Sequence, residues 1–275
     1  MAGFAAGDKT PEQAGAGTGR GDSNISEWGG ARFIRARMKN GRRICIKYPL
    51  EQKNEAGGQW RKMLAGLSGQ AFLQPLPPIA PQERNLLEVD KLRAFRAAGL
   101  PAADILAVQD GFSVYADMGE NVAQVLATLR GRDTALHDRL LAGIGGALGQ
   151  IHAADLCLGR PELRYMFLAA HGVGVSGFAD YPERTMPAAA AQLRDIWQLL
   201  ELVADRAVAK DSALAAAFLD WRRQAGLETL EGLRRTVRGF RRRLGPYKIL
   251  TPLFFGKARH NQLRVLQFLI ANVGV

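Results

Sequence analysis

Cysteine is scarce in these 275 residues: only Cys45 and Cys157 occur. Two thiols cannot build a disulfide framework or a zinc site, so a reducing cytoplasmic setting is expected. Histidine is limited to His137, His152, His171 and His260, and no pair stands at metal-ligand spacing. No uncharged apolar run reaches the roughly 18 residues that a bilayer span needs. Near the start, Gly, Asp, Lys, Thr and Pro occupy the place of a signal peptide's apolar core, so no leader is expected. No Ser or Cys sits in a nucleophile elbow. Secreted, membrane-spanning, collagen-like and disulfide-rich classes are excluded on these grounds.

What remains is ordinary globular composition, 47% hydrophobic and 23% charged, enough for one large domain or two lobes with a core. Lys and Arg number 37 against 26 Asp and Glu, a formal +11, and the sequence pI is about 10.1. That balance favours an anionic partner: nucleic acid, an anionic membrane face or a phosphorylated ligand.

The charge is concentrated near the end of the chain. Between Trp221 and Arg264 lie twelve Lys or Arg against only Glu228 and Glu231, an excess that nearly accounts for the whole-chain value. Leu230, Leu233, Val237, Phe240 and Leu244 step by three and four among the arginines, which predicts a narrow apolar stripe on a basic helix ending before Pro246. An apolar stretch, Ile249–Phe255, follows. Such a helix can rest on an anionic membrane surface, or it can pack on the protein with a solvated basic face. Nucleic acid is a remote third partner, because aromatic residues are not interleaved with the arginines.

Residues 1–24 are Gly/Ala-rich and without period, the composition of a disordered tail. Their Gly17-Thr18-Gly19-Arg20-Gly21-Asp22-Ser23 lacks the Gly-Lys-Ser/Thr ending of a phosphate loop. The runs ARFIRARM and RRICIKY around Lys39-Asn40-Gly41 predict a hairpin. A short helix is expected around Trp60–Leu67, and the prolines of 75–81 exclude regular structure there. A helix over Pro81–Ala98 presents Leu86, Val89, Leu92 and Phe95, and Gly99-Leu100-Pro101 stops it. Strands at Ile105–Val108 and Phe112–Ala116 flank Asp110-Gly111. Helices Asn121–Leu129 and Leu136–Ala154, a hairpin over Tyr165–Leu168 and Val173–Phe178, and helices Ala188–Ala209 and Ser212–Gln224 complete the order. The expected fold class is therefore α+β: a small strand-rich lobe with one helix, then a larger helical lobe.

Lys47 ends an apolar strand and Glu88 lies on the first long helix after it. A strand Lys steadied by a helix Glu is how kinase-like folds hold nucleotide phosphates, although a strand-end lysine is ordinarily just solvated. The order that follows strengthens the pairing: strand pair, a hinge-like Tyr115-Ala116-Asp117-Met118-Gly119-Glu120, a helix, then HAADLCLGRPELR and GFADYPERTMPAAAAQLRDIW. From about Phe33 to Leu202 this layout resembles bacterial kinases of the lipopolysaccharide-kinase type, within the protein-kinase-like and aminoglycoside-phosphotransferase-like fold. It resembles a divergent branch whose catalytic turn reads His-Gly-Arg-Pro and whose metal motif reads Asp-Phe-Glu.

The resemblance implies a bilobal kinase-like domain over about 25–226 (lobes about 25–118 and 119–226), followed by a basic, amphipathic helical C-terminal extension over 227–275. It implies ATP and Mg²⁺ as cofactors. Lys47 would bind phosphate with Glu88 as its partner, Asp180 would bind Mg²⁺, and Asp195 would brace the catalytic turn. Departures are equally plain. Arg160 stands where the proton-accepting Asp is usual, Tyr165 where the second metal-binding Asn is usual, and Leu158 where His is usual. Arg160 can stabilise phosphoryl charge but cannot be a base, and Asp155 is the nearest stand-in. The glycines Gly172, Gly174 and Gly177 spell GxGxxG, but no helix follows them, so no dinucleotide site is expected. Two readings stay open. One is an ATP-dependent phosphotransferase acting on a hydroxyl of an envelope saccharide, lipid-linked or free, at the cytoplasmic membrane face. The other is a pseudokinase serving as a membrane-associated binding module.

Overall fold

Asn40-Gly41 turns the chain back on itself, with Gly41 at φ +81 in the left-handed region that glycine enters without strain. In the computed structural model, which describes residues 24–28, 31–49, 65–66, 70–170, 172–244 and 257–273, this turn joins β2 (Ala31–Arg37) to β3 (Arg43–Pro49). Their register sets Phe33 opposite Lys47. A strand not anticipated from the sequence, β1 (Asn24–Trp28), pairs with β2. The second expected pair, β4 (Ile105–Gln109) and β5 (Phe112–Ala116), turns at Gly111, and β5 lies against β3 with Ser113 opposite Lys47. The result is an antiparallel sheet in the order β1-β2-β3-β5-β4. Of the helix expected around Trp60–Leu67, only Ala65 and Gly66 are described, and both are helical. Residues 1–23 and the apolar stretch 249–255 lie outside the described residues.

Helix α1 (Pro81–Ala97) starts on a proline, whose missing N–H costs nothing in a first turn, and stops at Gly99. Its inner face differs from the one read off the apolar spacing. Leu86 is exposed, while Arg84, Glu88 and Lys91 are buried beside Val89, Leu92 and Phe95. The helix therefore presents charge, not a plain apolar stripe, to the inside of the molecule.

Beyond β5 the chain turns helical. An Asn121/Gln124 capping box opens α2 (Val122–Arg130), and Asp133 caps α3 (Thr134–Ala153). The small hairpin β6 (Met166–Ala169) and β7 (Gly172–Val175) follows. Val175 also bonds the segment after α1 through Pro101 and Ala103, which ties the two lobes together just ahead of Asp180. Helix α4 (Ala188–Arg206) runs through the larger lobe, with Ala191 to Leu200 all buried. Against it pack α5 (Lys210–Gln224), α6 (Leu227–Leu244) and a further helix not anticipated from the sequence, α7 (Lys257–Asn272). The architecture is a bilobal, kinase-like α+β fold, defined by a five-stranded antiparallel sheet with one helix and a larger helical lobe carrying one hairpin.

Candidate functional site between the lobes

Lys47 and Glu88 meet in a buried ion pair, Nζ to Oε2, bridging β3 and α1. A strand-end lysine is ordinarily solvated, but in the fold Lys47 lies within β3 and is 3% exposed. Tyr115 donates its hydroxyl to the other Glu88 oxygen at 3.0 Å, so the carboxylate is fixed from the sheet as well. The ammonium lies over the rings of Tyr165 and Phe33, at 4.6 and 5.3 Å from their centroids. Burial holds the Lys47 pKa below its ordinary value, and Glu88 opposes that fall. A Cβ on Gly177 would lie 2.6 Å from Lys47 Nζ and 3.3 Å from Glu88 Oε2, so only glycine leaves this pair its space. The last glycine of the apparent GxGxxG thus serves the ion pair.

The turn Leu158-Gly159-Arg160 is held by two aspartates. Asp180 accepts the Arg160 backbone N–H on Oδ1 at 2.6 Å and faces Arg194 Nη2 with Oδ2 at 3.3 Å; the Asp180 and Arg194 side chains are each 2% exposed. Gly159 adopts φ +79, and a Cβ there would sit 2.5 Å from Asp180 Oδ1. Asp195 accepts the Leu158 N–H on Oδ2 and meets His152 Nε2 at 3.3 Å. Trp221 Nε1–H points at His152 Nδ1 at 3.0 Å. Because that nitrogen must accept, the ring is assigned as neutral with its proton on Nε2, directed at Asp195. Complete burial raises the Asp195 pKa, against the opposing pull of the His152 hydrogen bond.

Asp155 lies on the turn after α3 with φ +57, and its side chain is exposed. Arg160 directs its guanidinium to Glu162 at 2.7 Å, and Glu162 also holds Arg164 at 2.5 Å. The structure therefore brings Lys47 and Glu88 together, and Asp180 with Arg160 and Arg194. Asp195 stands behind the turn, paired with His152.

Three groups were missed in the sequence, and only Arg84 carried a signal beyond its charge. Arg194 takes up Asp180 and donates to the carbonyls of Phe72 and Gln74 at 3.0 Å each. Lys91 pairs with Glu183 at 2.8 Å, and Glu183 accepts from the Cys157 thiol at 3.2 Å. Arg84, one turn before Glu88 on α1, donates to the carbonyls of Phe178 and Ala179 at 3.3 and 3.2 Å. A basic residue at i−4 from Glu88 on the same helix face was the available hint.

The residues fit a phosphate better than a metal. Among the described residues no three His, Cys, Asp or Glu side chains converge on one point. Asp180 has each oxygen engaged, by the Arg160 N–H and by Arg194, and the Asn position holds Tyr165, which offers no carboxamide oxygen. Mg²⁺ does not fit this donor set. A phosphate does, since Lys47 and Arg84 are buried cations on facing elements and Arg84 Nη1 has no hydrogen-bond partner.

No protein-family model matches the chain, and no curated protein matches it. Among solved structures, WaaP in complex with acyl carrier protein is similar over 90% of this chain and 89% of that one, with TM-score 0.41. The maize sucrose-induced receptor kinase 1 kinase domain bound to AMP-PNP is similar over 97% of each, with TM-score 0.36. A MAP kinase from Leishmania major is similar over 87% of this chain and 77% of that one, also with TM-score 0.36. Each is 12% identical to this chain. The fold assignment rests on the element order and pairings described above.

Proposed function

We propose that the protein is a kinase-like module that binds ATP or a related nucleotide between its lobes but is impaired in phosphoryl transfer, a pseudokinase acting through binding. The observation that carries this reading is the engagement of Asp180. Its carboxylate is spent on Arg194 and on the Arg160 N–H, where a working kinase would offer it to a metal ion. The base position agrees. Arg160 stays protonated at any physiological pH and pairs with Glu162. Positioned proton transfer typically contributes about 10²–10⁴-fold, so its loss alone leaves transfer slow. The exposed arginines of α6, Arg235 and Arg238, give this module a basic face for an anionic membrane surface.

The Lys47–Glu88 pair favours a second reading, the phosphotransferase acting on an envelope saccharide hydroxyl. There Lys47 and Glu88 position ATP, Asp155 takes the hydroxyl proton, and Asp180 must leave Arg194 to reach Mg²⁺. One experiment separates the two: ATP binding by calorimetry together with ATP turnover, on the full chain and on Lys47→Ala and Asp180→Asn. The module reading expects ATP binding that Lys47→Ala removes, with turnover far below the roughly 1–100 s⁻¹ of working kinases. Mg²⁺-dependent turnover in that range, abolished by Asp180→Asn, would establish the transferase instead.

A further inference from the structure

Among the described residues, the buried carboxylates between the lobes each have a partner on at least one oxygen, with Asp195 Oδ1 alone left without one. Glu88 holds Lys47 and Tyr115, Asp180 holds Arg194, and Asp195 holds His152 and the Leu158 N–H. Glu183, more open, holds Lys91. Arg84 is left over. It is 2% exposed, its Nη2 meets only backbone carbonyls, and its Nη1 meets no acceptor. A buried guanidinium with no carboxylate and an idle N–H edge is costly unless an anion completes it. Arg84 shares the inner face of α1 with Glu88, and Phe178 joins the two: its carbonyl takes Arg84 Nη2 at 3.3 Å, and its N–H lies 3.5 Å from Glu88 Oε2, the oxygen that holds Lys47. Of these two buried cations only Lys47 has a carboxylate among the described residues, while the usual metal-binding aspartate is occupied elsewhere.

We propose that Arg84 and Lys47 form a phosphate site that takes a nucleotide's phosphate group without a divalent cation, with Arg84 supplying the charge that a metal on Asp180 would supply. In such a site the guanidinium offers Nη1–H to one phosphate oxygen while the Lys47 ammonium meets another. The proposal rests on the nucleotide-binding reading above and gives it a specific chemistry: phosphate recognition by arginine in place of magnesium.

The test is calorimetry on the full chain with ATP and with inorganic triphosphate, each in EDTA and in Mg²⁺, repeated on Arg84→Met and Arg84→Lys. The expected result is ATP binding no weaker in EDTA than in Mg²⁺. Arg84→Met then lowers affinity at least about tenfold, because a desolvated charge pair is lost, and Arg84→Lys falls between. Triphosphate binding as tightly as ATP identifies the phosphate chain as the recognised group; ATP binding alone identifies the whole nucleotide. Binding that requires Mg²⁺, or Arg84→Met with unchanged affinity, overturns this site and leaves the module reading intact. No ATP binding in either buffer overturns both. If Arg84→Met does not fold, the EDTA comparison on the unaltered chain and on Arg84→Lys still decides.

Discussion

Gly177 shows how little freedom the centre of the molecule has. A methyl group there would meet the Lys47 ammonium at 2.6 Å, and that ammonium is pinned by Glu88 and by two rings. Gly177→Ala is expected to cost about 1–3 kcal/mol, the usual range for overpacking, and to weaken ATP binding together with the ion pair; urea unfolding and calorimetry read the two effects. Asp195 gives a pH signature. The folded state raises its pKa above the usual 3.8, so its contribution is fully present below that value and is lost as pH rises through the raised one. Asp195→Asn keeps an oxygen for the Leu158 N–H and has nothing to titrate. Its unfolding free energy is expected to lack the decline that the unaltered chain shows as pH rises from about 4, measured by denaturant titrations across that interval. The meeting of Lys47 with Glu88 was legible from strand and helix order, and the nearness of Asp180 and Asp195 to the 158–160 turn from the family resemblance. The roles of Arg84 and Arg194 were not, because which carboxylate an arginine meets is set by three-dimensional placement that leaves no local pattern. Arg194 lies only 14 residues from Asp180, yet it reads in sequence as an ordinary helix residue next to Asp195.

Helices α3 and α5 approach so closely that the space beside two glycines of α3 is filled by the backbone of α5. A Cβ on Gly145 would sit 2.1 Å from the Ala217 carbonyl oxygen, and one on Gly149 would sit 2.6 Å from that of Trp221. This contact seats Trp221, whose indole fixes the His152 ring behind the Leu158-Gly159-Arg160 turn. Gly149→Ala is expected to lower stability by more than the roughly 1 kcal/mol that helix propensity would return. It is also expected to loosen the turn, seen as faster amide exchange at Leu158; an unchanged exchange rate would mean that α5 does not hold the turn. Elements with strong local grammar were readable: the Asn-Gly and Asp-Gly hairpins, the helix stopped at Gly99, and the long Leu/Ala helices. β1 was not, since Asn24–Trp28 is five residues long and gains its structure only by pairing with β2. α7 was not placed because its second half, VLQFLIAN, is apolar on all sides, and the inward spacing of Val265 and Leu269 does not stand out from its neighbours.

The net charge of +11 belongs to the molecule as a whole, and the fold decides how it can be used. The apolar stripe of α6 was open to two readings, a membrane face or an internal one. Leu230, Leu233 and Val237 point into the core, and Thr229 bonds Gln192 of α4 at 2.8 Å. Those residues are not available to enter a bilayer, whereas Arg235 and Arg238 on the same helix are exposed. An anionic membrane meeting this face would therefore be held by charge, without insertion of Leu230, Leu233 and Val237. Each basic side chain near an anionic surface contributes about 1 kcal/mol, so reversing two charges with Arg235→Glu and Arg238→Glu is expected to weaken binding to phosphatidylglycerol vesicles at least about thirtyfold. The same pair of changes is expected to leave folding stability within about 0.5 kcal/mol, because both side chains are solvated. Val237→Ala is expected to act the other way round, costing about 1–3 kcal/mol of stability through lost core packing while vesicle affinity holds among folded molecules. Salt gives the independent check. Screening shortens from about 10 Å at 0.1 M to about 3 Å at 1 M, so purely electrostatic docking disappears over that range. Vesicle binding that survives at high salt would mean that an apolar segment enters the lipid, and the electrostatic account of this face would be wrong.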